Sequence, residues 1–450
     1  MEHQGERTGL RTRRRAGYGA VLALALMVLV WSAVWVPVRE RPRFPADFDN
    51  YHRAARALVA GDSPYSVHNF DYPPLLALVV APLADLTLPE ARWAWLWLSQ
   101  LALVVAGAGI WRWLRDDRRL GPLPAVTVVA GCFALLGTIP ENLVLGQVHA
   151  LMLALLAWAL AWWRRRPAGA AALVGVAAAL KLWPALLLAP LLAARRWRAL
   201  AAGAATTLAL VAGPLLLFAV LLPPPALPAS SGFWMGTPAP LNLTRPALAV
   251  RMRDWIGDWP APDEPFPWSW RYGHNPEVFT LEPAAAAISV GLSAALLAAG
   301  LSLVLLRLRR SPALARGGHR VPSAGDELRA VTAIVPLVLA AAPLAWYHYQ
   351  LFLVLPLAVV AADAVAPPGP VPGRKRGLFL LAVPALAVAA TYSHRLLGLY
   401  HDSYGSTAAR PLLFLGLTAL APLTSLAFFV WLLRGIGSAE ASLAKRSASP

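Results

Sequence analysis

Only one of the 450 residues is a cysteine, Cys132. That excludes an intramolecular disulfide and a cysteine-built metal cluster. Charge is scarce as well: Asp, Glu, Lys and Arg make up 14% of the chain, against roughly 25% in soluble domains. Acids are the scarcer sign, 23 against 40 Lys and Arg. No HExxH, no CxxC and no acidic pair at metal-ligand spacing occurs, so no metal is expected. The basic loops contain no Gly-rich phosphate-binding loop or other nucleotide motif, and no cofactor is expected either.

Apolar residues are abundant. The chain is 58% hydrophobic and holds 19 Trp, a composition that belongs to integral membrane proteins. A net charge of +17 would suggest nucleic acid in a soluble protein. Here the positive residues lie in short clusters between hydrophobic runs, as in Arg115–Arg119, Arg164–Arg166, Arg195–Arg198, Arg307–Arg310 and Arg374–Arg376. The positive-inside rule expects such clusters in cytoplasmic loops, so membrane lipids are the expected partner and nucleic acid is not.

Hydropathy places a first span at residues 18–36, read as a signal anchor without a cleavage site. Residues 37–90 follow as an external loop. Within it, 72–86 is apolar but short and interrupted by Pro73, Pro74 and Pro82, which reads as a half-buried or re-entrant piece. Residues 91–222 hold spans at 91–114, 122–139, 143–163 and 199–222. They also hold a hairpin over 168–194 that breaks at Lys181-Leu-Trp-Pro184. A second external loop, 223–282, is rich in Pro and Trp and contains six acids. The C-terminal region, 283–434, supplies spans at 283–306, 329–345, 350–365, 377–394 and 412–433, and 435–450 form a cytosolic tail. The expected architecture is a single all-α polytopic domain of about 10–12 transmembrane helices, with amphipathic or juxtamembrane helices in the first external loop.

Charge asymmetry puts both termini in the cytoplasm and the protein in the cell membrane. It also puts nearly every unusual polar residue on the extracytoplasmic side: Asp47, Asp49, Asp71, Glu141, Asn142, Gln147, His149, Lys181, His348, His394 and Arg395. Chemistry or binding is expected there, where nucleotide sugars and ATP are not normally available.

The polar stretch from Pro45 to Leu83 is the centre of that side. After Asn50 it is amphipathic, with Tyr51, Ala54, Ala55 and Leu58 on one face. Asp47 and Asp49 precede or open this helix. Either is a solvated loop acid or helix cap, or a carboxylate at a membrane cavity suited to general-base work. Lys181 interrupts an apolar run. It either snorkels to the interface or serves as a point charge for phosphate at a helix break. In Trp346-Tyr-His-Tyr349 the aromatics form an interfacial belt, while His348 is a candidate phosphate donor. Gly146-Gln-Val-His149 opens a helix whose free N–H groups suit an anion. Glu141 and Asn142 read as turn residues, and Asp116-Asp117 as a solvated cluster.

Four segments together resemble glycosyltransferase family 87, the polyprenyl-phosphate-mannose-dependent mannosyltransferases of the GT-C type. The first is Asp47-Phe-Asp-Asn-Tyr51 with Ala54-Ala55, Gly61, Pro64-Tyr65, Tyr72-Pro-Pro74 and Pro82-Leu83. The others are Gly146-Gln147, Lys181-Leu-Trp-Pro184 followed by Pro190 and a basic cluster, and Trp346-Tyr-His-Tyr349. His149 stands where the family more often has Asn. The resemblance implies a GT-C fold and inverting transfer of a hexose, mannose by the family pattern, from a polyprenyl-phosphate sugar to a lipid or glycan acceptor. It implies Asp47 as the catalytic base. Lys181, His348, Gln147, Tyr51 and Tyr72 are the expected substrate- or donor-phosphate-binding residues, with Lys181 and His348 the candidates for the phosphate itself. Two alternatives stay open: a transporter or flippase of lipid-linked sugar, because broken helices and membrane charges also occur there, and a GT-C enzyme using another sugar.

Overall fold

The computed structural model describes residues 2–35, 47–67, 70, 72–118, 120–222, 283–311, 314–316, 319–341, 347–365 and 410–436. The architecture is all-α and that of a polytopic membrane protein. The only strands among the described residues are a small antiparallel hairpin, β1 (Leu314–Arg316) with β2 (His319–Val321).

The chain begins with α1 (Glu2–Val30), which continues as a π-helical turn at Trp31–Trp35. The amphipathic stretch forms α2 (Phe48–Val59). Of its predicted apolar face, Tyr51, Ala54 and Ala55 are fully buried and Leu58 is half-buried, while Arg53 and Arg56 face outward. The Pro-interrupted piece becomes a short α3 (Leu75–Val80) and a 3-10 turn at Ala81–Leu83. It is too short to cross a bilayer, and Leu76, Ala77 and Val80 are buried. Next comes α4 (Leu88–Asp117), with Pro89 in its first turn. The Glu90 carboxylate secures its start, accepting from the Thr87 backbone N–H at 2.9 Å and from the Thr87 hydroxyl at 2.7 Å.

The two spans expected at 122–139 and 143–163 are divided differently. The segment forms α5 (Pro122–Ala134), α6 (Ile139–Leu145) and α7 (His149–Trp162). α5 and α6 meet at a bend of 62°, and Gly146 breaks the chain between α6 and α7. The segment expected as a hairpin is broken at Lys181 into α8 (Pro167–Leu180), a 3-10 turn at Trp183–Leu188 and α9 (Ala189–Ala193). There follow α10 (Trp197–Leu221), α11 (Pro283–Arg310), α12 (Ala324–Ala341), α13 (Val354–Val365) and α14 (Arg410–Gly435).

Three stretches among the described residues are long and apolar enough to cross a membrane: Ala16–Trp35, Leu88–Asp117 and Trp197–Leu221. The bent α5–α6 pair makes a fourth if it counts as one span. Several other expected spans are shorter apolar helices, including α7 and α8. The expected span 377–394 and the loop 223–282 lie outside the described residues.

α4 packs on α7, α8 on α10 and α12 on α14. The α8–α10 contact depends on small residues. A Cβ at Gly175 would sit 2.5 Å from the Gly203 carbonyl oxygen, so the two backbones touch as membrane helices with small interfaces do.

One end of the bundle is held by ion pairs. Arg118 and Arg329 converge on Asp363 at 2.5 and 3.1 Å. Arg196 meets the fully buried Glu327 at 3.0 Å, and the Trp163 indole donates to the same carboxylate at 3.0 Å. Asp117 does not match the expected solvated cluster: its side chain is 8% exposed and pairs with Arg118 and Arg164. The chain returns to this end several times and brings those arginines over it. α7 runs from here to the other end of the bundle, about 21 Å away at 1.5 Å per residue, and begins there at His149.

Candidate active site

At that far end the separate sequence motifs meet. Asp47 occupies the cap position of α2, but its side chain makes no capping hydrogen bond. Only its backbone carbonyl serves the helix start, accepting from Asn50 N–H at 3.1 Å. The carboxylate turns instead to the α6–α7 break, where Gln147 Nε2 donates to Oδ2. Oδ1 accepts no hydrogen bond among the described residues.

Gly146 makes this arrangement possible. Its φ of 68° is left-handed, and a Cβ there would lie 2.6 Å from Phe48 Cβ. Phe48 stacks on Trp95 at 5.2 Å, and the Trp95 indole donates to the Gly146 carbonyl at 2.7 Å. The start of α2 is thus pressed onto the α6–α7 break, which places Gln147 beside Asp47. A second clamp comes from Asp49. The Arg92 guanidinium grips it as a fork, with Nε 2.8 Å from Oδ1 and Nη2 on Oδ2. Asp49 therefore fastens α2 to α4 and is occupied by that contact.

Gln147 is 2% exposed. Its Oε1 lies 3.4 Å from the Tyr51 hydroxyl, which lies 3.0 Å from the Tyr72 hydroxyl. One consistent proton assignment has Tyr72 donating to Tyr51, Tyr51 to Gln147, and Gln147 to Asp47. Burial holds the Tyr51 phenol well above the ordinary tyrosine range, so it stays protonated and able to donate. Burial likewise pushes the Asp47 carboxyl up to about 6. The Lys181 ammonium and the Gln147 amide pull the other way, and the Asp49 and Glu141 charges add to the rise.

Lys181 is placed by the end of α8, whose cap residue it forms in extended conformation (φ −160°, ψ 120°). Pro184 follows and cannot continue the ladder. The ammonium nitrogen is 3.2 Å from His149 Nε2. It also lies 4.2 Å from the Tyr349 ring centroid and 5.1 Å from that of Tyr72, both within cation–π range. His149 is fully buried, and its Nδ1 is 3.0 Å from Asn142 Oδ1.

Asp47, Tyr51, Tyr72, Gln147 and Lys181 are therefore brought into one cluster, and Tyr349 of the fourth motif joins them. The side chain of His348 lies outside the described residues, as do Asp71, His394 and Arg395. Glu141 and Asn142, expected as turn residues, both lie in α6, and Asn142 orients His149. The latter two are seven apart in sequence, and only the left-handed turn at Gly146 makes them neighbours. Among the described residues no group of His, Cys, Asp and Glu could hold a metal ion.

This cluster pairs a half-buried carboxylate, one oxygen of which accepts no hydrogen bond among the described residues, with a cation nearby. Such a pair can take a proton from a hydroxyl while an anion is held close to it. The model of glycosyltransferase family 87 matches residues 70–256, a stretch that contains Tyr72, Gln147 and Lys181 and stops short of Asp47. No curated protein matches the chain. The family match indicates a glycosyltransferase, which implies a sugar donor and an acceptor.

Proposed function

We propose that this protein is a GT-C-type membrane glycosyltransferase that moves a hexose from a polyprenyl-phosphate sugar to a lipid or glycan acceptor, with inversion. Mannose is the sugar favoured by the motif resemblance. The single observation that carries this reading is the orientation of Asp47: an acid at a helix-cap position whose side chain leaves the helix uncapped and turns instead to Gln147 in a polar cluster.

In this reading Asp47 Oδ1 accepts the proton of the acceptor hydroxyl. The hydroxyl oxygen forms a bond to the anomeric carbon from the face opposite the phosphate. The bond from that carbon to the phosphate oxygen breaks, and polyprenyl phosphate leaves with the electron pair. It is already a stable anion, so no strong general acid is needed. Lys181 is the proposed partner of that phosphate, with His348 as a second candidate. Gln147, Tyr51 and Tyr72 keep the base in place.

The ends of the bundle support an extracytoplasmic site. The ion-paired end carries the arginines of the basic loops, Arg118, Arg164 and Arg196, and the cluster around Asp47 is at the other end of α7. With basic loops inside, the site faces the outer leaflet, where a lipid-carried donor can reach it.

The test uses purified protein in nanodiscs, synthetic polyprenyl-phosphate mannose, glucose and arabinose in separate arms, and a panel of acceptors. Asp47→Asn is expected to lower the transfer rate by about 10²–10⁴-fold, the usual contribution of a general base, while donor binding persists. Wild-type rates in that variant end the assignment of Asp47. Translocation of intact donor without any glycoside formed would favour a transporter instead.

A further inference from the structure

The buried Asn142–His149 pair has no part in the chemistry just described, yet it ends on the Lys181 ammonium. Asn142 is 2% exposed. Its amide nitrogen donates to the Thr138 carbonyl at 2.9 Å, which fixes the amide so that Oδ1, not the nitrogen, faces His149. An oxygen at 3.0 Å from Nδ1 requires the proton on Nδ1. His149 Nε2 then carries a lone pair, and that lone pair faces Lys181 Nζ at 3.2 Å. The ring itself is wedged by Tyr349 at 4.6 Å and Phe352 at 5.3 Å between centroids.

We infer that His149 is a positioning residue: as a neutral imidazole locked by Asn142, it aims the Lys181 ammonium at the donor phosphate. This inference rests on the reading of Lys181 as the phosphate ligand. Lysine is a flexible chain that gives up rotamer freedom when held. A fixed acceptor on one of its three protons, with aromatic faces at Tyr72 and Tyr349, sets its direction before the donor arrives. The orientation is built from the α6 turn upward: Thr138 holds Asn142, Asn142 holds His149, and His149 holds Lys181.

His149→Phe keeps an aromatic ring among Tyr349 and Phe352 but removes the acceptor. His149→Gln offers an amide oxygen near the place of Nε2. Steady-state transfer from polyprenyl-phosphate mannose is measured for both, alone and combined with Lys181→Ala. The expected result for His149→Phe is about a tenfold rise in donor KM with a smaller change in kcat, the size of one charged hydrogen bond. His149→Gln should recover most of that loss. Added to Lys181→Ala, His149→Phe should cost less than about twofold, because its target is gone.

An equal cost in both backgrounds overturns the inference, as does an unchanged KM in His149→Phe when Lys181→Ala raises it. A second readout separates the two readings. In protein carrying 15N-labelled lysine, the Lys181 Nζ resonance should shift in His149→Phe and return towards its original position in His149→Gln. If it does so while Lys181→Ala leaves donor KM untouched, the positioning contact stands and the phosphate role of Lys181 falls. If the resonance does not move, the positioning role falls whatever Lys181 does.

Discussion

Replacing Gln147 with Leu tests the electrostatic account of Asp47 most directly. The Gln147 amide donates to the charged form of the carboxylate and is one of the influences that hold its pKa down near 6 against burial. A hydrogen bond to a charged group contributes about 1.5–3 kcal/mol. At 1.36 kcal/mol per pKa unit, losing it raises the carboxyl by roughly one to two units. Leucine conserves most of the volume, and any water that enters returns part of the lost solvation, so about one unit is the expected net shift. The sign follows from the role of the group. A general base works deprotonated, so kcat/KM in the wild type should rise with pH through about 6. In Gln147→Leu the same limb should lie near pH 7. The assay is kcat/KM for sugar transfer from pH 5 to 9 in nanodiscs. At pH 6.5 the variant should be several-fold slower than wild type, and above pH 8 most of that part of the loss should disappear. A limb that stays in place, or moves to lower pH, refutes the claim that Gln147 tunes Asp47.

Two further outcomes concern the scaffold. Gly146→Ala puts a methyl group against Phe48 and forces a non-glycine residue into the left-handed region. It should cost about 1–3 kcal/mol, lower the Tm in detergent and reduce activity, because Phe48 neighbours the base; an unchanged Tm and rate would mean the α2–α6 contact is not tight. Arg196→Ala strands the fully buried Glu327 and should destabilise by about 3–5 kcal/mol, whereas Arg196→Met with Glu327→Leu should recover most of the loss. Thermal melts of the two variants and the wild type decide this, and equal Tm values for Arg196→Ala and wild type would refute it.

The sequence alone determined the class. A chain with this much apolar residue and this little charge must bury its backbone in helices within lipid, and the scattered basic clusters then distribute its ends. It also marked Asp47, Gln147 and Lys181 individually as candidates, although each also had a bland use there as a loop acid or cap, a helix start, or a lysine reaching the interface. The break at Lys181 was legible through Pro184, and the apolar face of α2 through its spacing.

The tertiary structure decided what those residues do to one another. Asp47 and Gln147 are a hundred residues apart, and no periodicity connects them. They meet because Gly146 turns left-handed under Phe48. Asp49 and Asp47 look alike in sequence, but Arg92 arrives from α4 to grip the first, while the second turns to Gln147. Asn142, His149 and Lys181 come into contact only because the α6–α7 turn faces the end of α8. Local pattern reports how each segment meets lipid or core, whereas which polar groups share a site depends on contacts between helices that the chain visits far apart.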